Sequence, residues 1–268
     1  MKRKVIIIDT HTHIGYWPTL SKTQNDLIAS NQDFNISYSL VSFDGTEFKD
    51  DSNRRGKLVS QLEASKKCLK FVKENKHFGM LVWIRPHLEK NYEEIEQFIV
   101  KHREYIHGLK FHPYCSRLRV SDPRLLPYIR IARKYNLPIL VHTASDTYSK
   151  IKYLEKVASL NPDITFIAAH LELETDNQNA LRALKANPNL YGDTAWVNIN
   201  TIQKAKEIGV LNKIMFGTDN PIDGYETLNN PIYQSYFNND IKLKKKEYDN
   251  LMYKLAMKIY NIKKEELD

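Results

Sequence analysis

Residues 5–13 read Val-Ile-Ile-Ile-Asp-Thr-His-Thr-His. Four consecutive β-branched residues favour a strand covered on both faces over a helix, and the run is too short to span a membrane. Side chains alternate between the two faces of a strand, so His11 and His13 point to the same side, where they can hold one metal ion. Asp9 shares their parity and is expected to orient them. The alternative is a pair of histidines in a surface loop.

The length and composition of the chain fit a globular enzyme. Its 268 residues are enough for one large domain or two small ones with a sizeable core. The two cysteines, Cys68 and Cys115, predict no disulfide and a reducing compartment. The apolar run after residues 1–4 ends at Asp9 with no small-residue cleavage site, which argues against a signal peptide. No run of about 20 apolar residues occurs, so we expect a cytoplasmic protein without membrane association.

The charge of the chain is positive but dispersed. A formal net charge of +8 and a pI of about 9.2 would suit nucleic acid or an acidic substrate. The basic residues are nevertheless interleaved with Asp and Glu, and the one dense run, residues 242–246, is interpreted as solvated surface. The expected partner is therefore a small molecule rather than a nucleic acid, and a homodimer is left open.

Short apolar segments alternate with amphipathic stretches along the whole chain, as in β-α units around a parallel sheet. The predicted strands after residues 5–8 are residues 36–43, 78–84, 106–111, 138–141, 164–169, 189–194 and 213–217. Eight such units in roughly 250 residues are what a (β/α)8 barrel requires. The sequence therefore predicts an α/β fold of the TIM-barrel type, with residues 1–268 as a single domain.

Several connecting segments have the pattern of helices. Residues 53–75 and 92–102 carry apolar side chains at helical spacing. Residues 121–135 begin with a capping residue and a proline, which favours a helix start. A final helix is expected over residues 251–262, with its apolar stripe packed on the barrel wall.

Polar residues interrupt the predicted strands at their carboxyl ends, where barrels of this type place their sites. They are His11, His13, Lys110, His112, His142, His170 and Asp219. Each histidine alone is most simply a half-buried structural residue. Their shared position at one mouth of the barrel predicts a metal site instead.

The residues at these strand ends resemble the amidohydrolase superfamily, specifically its amidohydrolase-2 branch of metal-dependent hydrolases. The motifs are His11-Thr-His13, Gly108-Leu-Lys-Phe-His-Pro113, Leu137-Pro-Ile-Leu-Val-His142, Phe166-Ile-Ala-Ala-His170 and Phe216-Gly-Thr-Asp-Asn-Pro221. They occur in the right order over nearly the whole chain. The resemblance implies a distorted (β/α)8 barrel with a divalent metal, most often zinc, at its mouth. It also implies a hydrolase or, as in some relatives, a decarboxylase.

The chemistry of the site can be argued from the residue types. A catalytic zinc site needs about three nitrogen or oxygen ligands and an open position, which His11, His13, His142 and Asp219 can provide. Manganese, iron, nickel and cobalt tolerate the same ligands. We expect one ion rather than two, and a metal-activated water that attacks an amide, ester or lactone bond. Asp219 is the expected general base, and His170 is either a further ligand or a donor to the substrate.

Lys110 decides between one metal and two. Some relatives carry a glutamate or a carbamylated lysine here as a bridge between two ions, so Lys110 is a metal ligand only if it is carbamylated. Otherwise it stays cationic and pairs with Asp9 or with a substrate carboxylate. Glu172, which follows His170, is expected to be a solvated loop residue.

The substrate side of the site is predicted from loop residues. The candidates are Tyr16, Trp17, His112, Tyr114 and Trp196, which together suit a small, partly apolar, anionic substrate. Two further classes remain open beside the hydrolase and the decarboxylase. A TatD-like nuclease or phosphodiesterase would fit the basic pI but needs an acidic residue at the position of Lys110. A barrel that keeps the histidines for structure would bind metal without turnover.

Overall fold

The parallel sheet of this protein contains eight strands in the order of the sequence. The computed structural model describes residues 5–16, 23–45, 59–86 and 91–267. The strands are β1 (Ile8–Tyr16), β2 (Tyr38–Gly45), β3 (Phe78–Ile84), β4 (Ile106–Phe111), β5 (Ile139–Ala144), β6 (Phe166–Leu173), β7 (Leu190–Asp193) and β8 (Ile214–Met215). Each strand pairs in parallel with the next. The predicted fold class, a distorted (β/α)8 barrel, is confirmed.

The sheet closes through the segment that follows the short strand β8. The Thr10 amide donates to the Phe216 carbonyl at 3.0 Å, and the His13 amide donates to the Asn220 carbonyl at 2.9 Å. Between them, the Asp219 amide donates to the His11 carbonyl at 2.7 Å. Backbone bonds therefore fix the position of Asp219 relative to the strand that carries the two histidines.

Helices connect the strands. They are α1 (Gln24–Asp33), α2 (Gln61–Glu74), α3 (Tyr92–Lys101), α4 (Pro113–Ser116), α5 (Leu126–Lys134), α6 (Ile151–Leu160), α7 (Gln178–Ala186), α8 (Ile199–Glu207), α9 (Pro231–Phe237), α10 (Lys245–Asp249) and α11 (Leu255–Tyr260). A π-helical turn, Asn250–Lys254, joins α10 to α11. No described helix has the length and apolar character needed to cross a membrane.

The structure shifts several of the predicted boundaries. Strands β3 and β4 have the predicted bounds. The first strand, predicted over residues 5–8, instead begins at Ile8 and runs to Tyr16, because the chain pairs with β2 only from Ile8 onward, with a register shift between Asp9 and Thr12. The expectation that residues 5–8 are buried is wrong for Val5, which is 54% exposed.

Helix α2 begins after Ser60, whose hydroxyl accepts from the Glu63 amide at 3.0 Å. The predicted start of this helix at Asn53 lies outside the described residues. Neither Cys68 nor Cys115 is in a disulfide bond.

Side-chain alternation divides the apolar residues of the strands between two clusters. In β5, Ile139 and Val141 belong to a large outer cluster with the helices, and Leu140 belongs to a smaller inner one. The other inner residues from strands include Ile8, Leu40, Leu81, Ile167 and Met215. They form an apolar floor inside the barrel. Lys110 and His142 have the inward parity of this cluster and lie above it at the strand ends.

Candidate metal centre and active site

Eight of the predicted site residues, among them His142, line one cavity at the carboxyl end of the barrel, and five of the eight are buried. His11, His13, Lys110, His170 and Asp219 are exposed by 8% or less. They come from β1, β4, β6 and the segment after β8. The cavity has a volume of about 310 Å³. The predicted convergence of the strand ends therefore holds for these side chains.

His11 is held by a carboxylate that the sequence analysis did not identify. Its Nδ1 lies 2.9 Å from Asp193 Oδ2, so the Nδ1–H donates to Asp193 and the Nε2 lone pair faces the cavity. Asp219 Oδ1 is 3.4 Å from this Nε2, and Lys110 Nζ is 2.6 Å from it. Both groups thus meet the nitrogen that a metal would use.

Hydrogen bonds also orient the other two imidazoles. His170 Nδ1 lies 3.1 Å from the Ala195 carbonyl, which only accepts, so the proton is on Nδ1 and Nε2 is left as a ligand. His13 Nδ1 is 3.0 Å from Ser42 Oγ, and its Nε2 is 2.7 Å from Asp219 Oδ1. In each ring, Nδ1 points away from the centre and makes the hydrogen bond that fixes the orientation of the ring.

The donor atoms of three residues fit a single divalent metal. Ligand atoms of His11, His170 and Asp219 all lie within 4.8 Å of one another, and all three residues are buried. Imidazole nitrogen with one carboxylate oxygen is a ligand set for zinc and for manganese or iron. A carboxylate or carbonyl behind each ligating imidazole is the usual second layer of such sites.

Burial and charge set the protonation of this group. Burial lowers the pKa of His170 to about 4, so its imidazole is neutral, as a ligand must be. Burial alone would raise the pKa of Asp219, but the hydrogen bond and charge of His13, with His11, hold it well below its usual value. Burial raises the pKa of Asp9 to about 7. The centre thus combines a neutral imidazole with an ionised carboxylate.

His142 lies at the edge of the ligand group. Its ring centroid is 4.9 Å from that of His170, and it stacks on His112 at 4.0 Å, which in turn stacks on Trp83 at 5.5 Å. Burial, with the neighbouring His112, lowers the pKa of His142 well below its usual value. The predicted ligand role of His142 stays a prediction, because it is not among the three residues with mutually close ligand atoms.

Asp9 and Lys110 do not form the ion pair that was one of the alternatives. Asp9 Oδ1 instead accepts the backbone amides of His11 and Thr218, each at 3.1 Å, and Oδ2 accepts the Thr218 hydroxyl. Asp9 therefore orients the backbone on both sides of the barrel closure rather than the imidazole rings.

Glu172 is buried, which contradicts the expectation of a solvated loop residue. It is 5% exposed, and its Oε1 accepts the Ile151 amide at the start of α6 at 3.0 Å. Residues 170–172 all have positive φ, at 65°, 48° and 69°, a conformation rarely adopted by residues other than glycine. The backbone at the end of β6 is therefore in an unfavourable conformation. Contacts such as the hydrogen bond between Glu172 and the Ile151 amide hold it in place.

The predicted substrate residues divide into three groups. His112 and Tyr114 line the cavity. Trp196 Nε1 donates to Asp219 Oδ2 at 3.2 Å, so it contacts the proposed base. Tyr16 ends β1, but the prediction for its side chain, like that for Trp17, lies outside what the structure describes.

Asp193, Ser42 and Asp146 are site residues that the sequence analysis missed. Asp193 ends β7, so the rule that selected the strand-end histidines could also have selected it. Ser42 and Asp146 carry no such signal, because a serine in a strand and an aspartate in a loop are common without a site.

Asp193→Asn should weaken metal binding by about 10- to 100-fold. Asp193 Oδ1 accepts the His170 and Ala195 amides at 2.9 and 3.1 Å, so the amide oxygen of Asn would take this place. Its NH2 group would then face His11 Nδ1 and force the proton onto Nε2, which could no longer bind a metal. Competition with a fluorescent zinc chelator measures the effect. Asp163→Asn, at an exposed ion pair with Arg133, is the control, and unchanged affinity in Asp193→Asn would contradict the argument.

Comparisons with known proteins support the same architecture. No curated protein matches the chain in sequence. A 5-carboxyvanillate decarboxylase from Novosphingobium aromaticivorans, solved with manganese and a substituted benzoic acid, superposes with a TM-score of 0.73 at 9% identity, over 97% of this chain and 98% of that one. A 2,6-dihydroxybenzoate decarboxylase gives a TM-score of 0.69 at 12% identity, over 96% and 99%. A protein from Acinetobacter baumannii, assigned as a 2-pyrone-4,6-dicarboxylic acid hydrolase, gives 0.63 at 15% identity, over 95% and 99%.

At these low sequence identities, the comparisons show that the fold is shared but do not identify the substrate of this protein. The sequence profile described as amidohydrolase, by contrast, matches residues 8–262, from the first strand to the end of the last helix. The chain therefore belongs to the amidohydrolase family.

Proposed function

We propose that this protein is a divalent-metal-dependent hydrolase of a small carboxylate-bearing substrate. The observation that carries the proposal is the fully buried Lys110 in the same cavity as the ligand group. A buried ammonium is costly unless an anion or another acceptor meets it. The Lys110 ammonium is close to His11 here. Once a metal occupies the His11 nitrogen, a substrate carboxylate would replace this nitrogen as the partner of the ammonium.

His11, His170 and Asp219 would hold the metal, and His13 and His142 are the further candidates. When bound, the metal supplies a Lewis acid and a water of lowered pKa. Zinc is the first choice for this ligand set, and manganese is the second.

Asp219 is the proposed general base. Its ionised carboxylate can take the proton from the attacking water and pass it to the leaving group of an amide, ester or lactone. The Trp196 indole bonds to Oδ2, which leaves Oδ1 toward His11 and His13 at the centre of the site. The neutral His170 can contribute to binding but not as an acid near pH 7, because its pKa is about 4.

The size of the cavity favours a small molecule over a nucleic acid. A volume of about 310 Å³ is at the lower end of the range for ligand pockets and suits a one-ring substrate. Lys110 also occupies the position where the nuclease alternative needs an acidic residue. The polynucleotide alternative is therefore the weaker one.

Decarboxylation is the second candidate. The observation that favours it is again Lys110, because a carboxylate fixed beside this cation could be the group that leaves as carbon dioxide. The bond between the substrate carbon and this carboxylate would break, and a proton from water, relayed by Asp219, would take the place of the carboxylate on that carbon. Two of the structurally similar proteins are decarboxylases of substituted benzoates.

The test is a metal-resolved activity screen. Protein stripped with a chelator and reloaded with zinc or manganese is assayed on aryl esters, lactones, N-acyl amino acids, bis(4-nitrophenyl) phosphate and hydroxybenzoates. We expect turnover only in the reloaded protein, with 18O from water in the product of hydrolysis and released carbon dioxide in the other case. Full metal occupancy without turnover on any class would favour a binding barrel, and turnover that survives metal removal would refute the proposal.

A further inference from the structure

A buried tyrosine bridges the two segments that carry Trp196 and Asp219. Tyr233 lies in α9 and is fully buried. Its hydroxyl donates to the Thr218 carbonyl and accepts from the Trp196 amide at 3.2 Å. The rings of Tyr233 and Trp196 also make a T-shaped contact, with centroids 5.7 Å apart. One side chain therefore joins the segment after β7 to the segment after β8.

The two peptide groups that Tyr233 binds are those that set the backbone of Trp196 and Asp219. Both residues have positive φ, at 58° and 67°, which is unfavourable for residues other than glycine. The φ angle of a residue describes how the rigid peptide plane before it is rotated about the N–Cα bond. The Trp196 amide and the Thr218 carbonyl belong to these two preceding planes. The two hydrogen bonds of the Tyr233 hydroxyl therefore hold both φ angles.

These two backbone conformations bring the side chains of Trp196 and Asp219 together. The Trp196 indole donates to Asp219 Oδ2 at 3.2 Å. The other oxygen, Oδ1, lies 2.7 Å from His13 Nε2 and 3.4 Å from His11 Nε2. The indole thus decides which oxygen of the carboxylate faces the centre. A rotation of either peptide plane would break the indole bond and allow the carboxylate to turn.

We propose that Tyr233 is a positioning residue for the Asp219 carboxylate. Its hydroxyl holds the two peptide planes, the planes place the Trp196 indole against Oδ2, and the indole keeps Oδ1 toward the metal centre. Tyr233 is fully buried and acts only through these residues. This inference rests on the proposed function, because that function gives Asp219 its roles as base and ligand.

The test follows the indole N–H of Trp196 by NMR, in zinc-loaded protein labelled with 15N-tryptophan. The chain has three tryptophans, and Trp196→Phe identifies the signal by its loss. A proton donated to a carboxylate resonates downfield and exchanges slowly with D2O. In Tyr233→Phe we expect the signal to move upfield and to exchange about tenfold faster, as for the loss of one hydrogen bond. An unchanged signal and exchange rate in Tyr233→Phe would overturn the proposal.

Tyr236→Phe is the matched control. Tyr236 lies three positions later in α9 and is 1% exposed, and its hydroxyl donates to the Val197 carbonyl at 2.8 Å. This variant also loses a buried tyrosine hydroxyl that binds the segment after β7, but it keeps the bridge to Thr218. We expect its Trp196 indole signal to stay in place. The same shift in both variants would indicate a general loosening of the segment and would refute the specific role of Tyr233.

Kinetics measure the same role during turnover. We expect Tyr233→Phe to lower kcat about tenfold with little change in KM, because a misplaced base affects the transition state more than substrate binding. Tyr236→Phe should leave both constants within about twofold of the wild type. A higher KM with unchanged kcat in Tyr233→Phe would contradict the proposal.

The spectroscopic readout separates this inference from the proposed function. The indole signal needs no turnover, so it tests the role of Tyr233 even in a protein without hydrolase activity. An active hydrolase in which Tyr233→Phe changes neither the signal nor kcat removes only that role. If Tyr233→Phe does not fold, a crystal structure of the zinc-loaded wild type decides. It should show Asp219 Oδ1 on the metal and Oδ2 on the indole, and any other arrangement would overturn the proposal.

Discussion

Asp219→Asn is expected to lower kcat of the metal-loaded enzyme by about 10²- to 10⁴-fold, the usual contribution of a positioned general base. The amide cannot accept a proton from water at neutral pH, whatever its position. The backbone of residue 219 should stay in place, because its amide bonds to the His11 carbonyl at 2.7 Å and does not depend on the side chain. The loss should therefore fall on kcat, with a smaller effect on substrate binding.

Three measurements make the result specific. They are kcat on the substrate found in the screen, metal content by mass spectrometry of the elements, and the thermal unfolding midpoint. Asp223→Asn is the matched control, because it makes the same chemical change at an exposed residue four positions later in the same loop. If Asp219→Asn retains full metal and kcat, Asp219 is not the base. If the metal is lost together with kcat, the drop in kcat comes from the ligand role proposed above for Asp219 and not from its role as a base.

The positions of the main site residues could be predicted because parallel strands of a barrel all end at one mouth. A histidine after an apolar strand, such as His142 or His170, is therefore placed by topology alone. The bounds of β3 and β4 followed from compact apolar runs between charged segments. The extension of β1 to Tyr16 could not be read in this way, because it depends on pairing with β2 and with the segment after β8.

The contacts that His11 makes in the candidate site could not be predicted from the sequence, because they join residues that are far apart along the chain. Asp193 meets His11 from 182 positions away, and Lys110 meets it from 99 positions away. Which nitrogen each of them approaches depends on side-chain rotamers and on the stagger of strands around the barrel. The alternative pairing of Lys110 with Asp9 had equal support from charge alone. Only the described geometry distinguishes the two.

The position of Lys110 also distinguishes between two kinds of metal centre. Its Nζ is 2.6 Å from His11 Nε2, and His11 Nδ1 is occupied by Asp193. One lone pair on Nε2 cannot serve both a lysine N–H and a metal ion. A cationic Lys110 must therefore give up this hydrogen bond when the metal binds, and its charge also opposes a dication nearby.

Lys110→Met removes this competitor at nearly constant volume. We expect metal affinity to rise by about tenfold, on the scale of one hydrogen bond to a charged group. At the same time kcat/KM for a carboxylate substrate should fall by about 10- to 100-fold, because the substrate loses its cationic partner. Zinc titration and steady-state kinetics measure the two effects, with Lys70→Met, at a lysine side chain 76% exposed, as the control.

The opposite result would identify a different centre. A carbamylated lysine is an anionic ligand, so its replacement by methionine would remove a metal ligand and lower the affinity instead of raising it. The metal count per chain would then fall from two ions toward one or none, and added bicarbonate would increase metal binding in the wild type but not in Lys110→Met. The sign of the change in metal affinity thus decides between a cationic Lys110 beside one ion and a carbamylated Lys110 that bridges two.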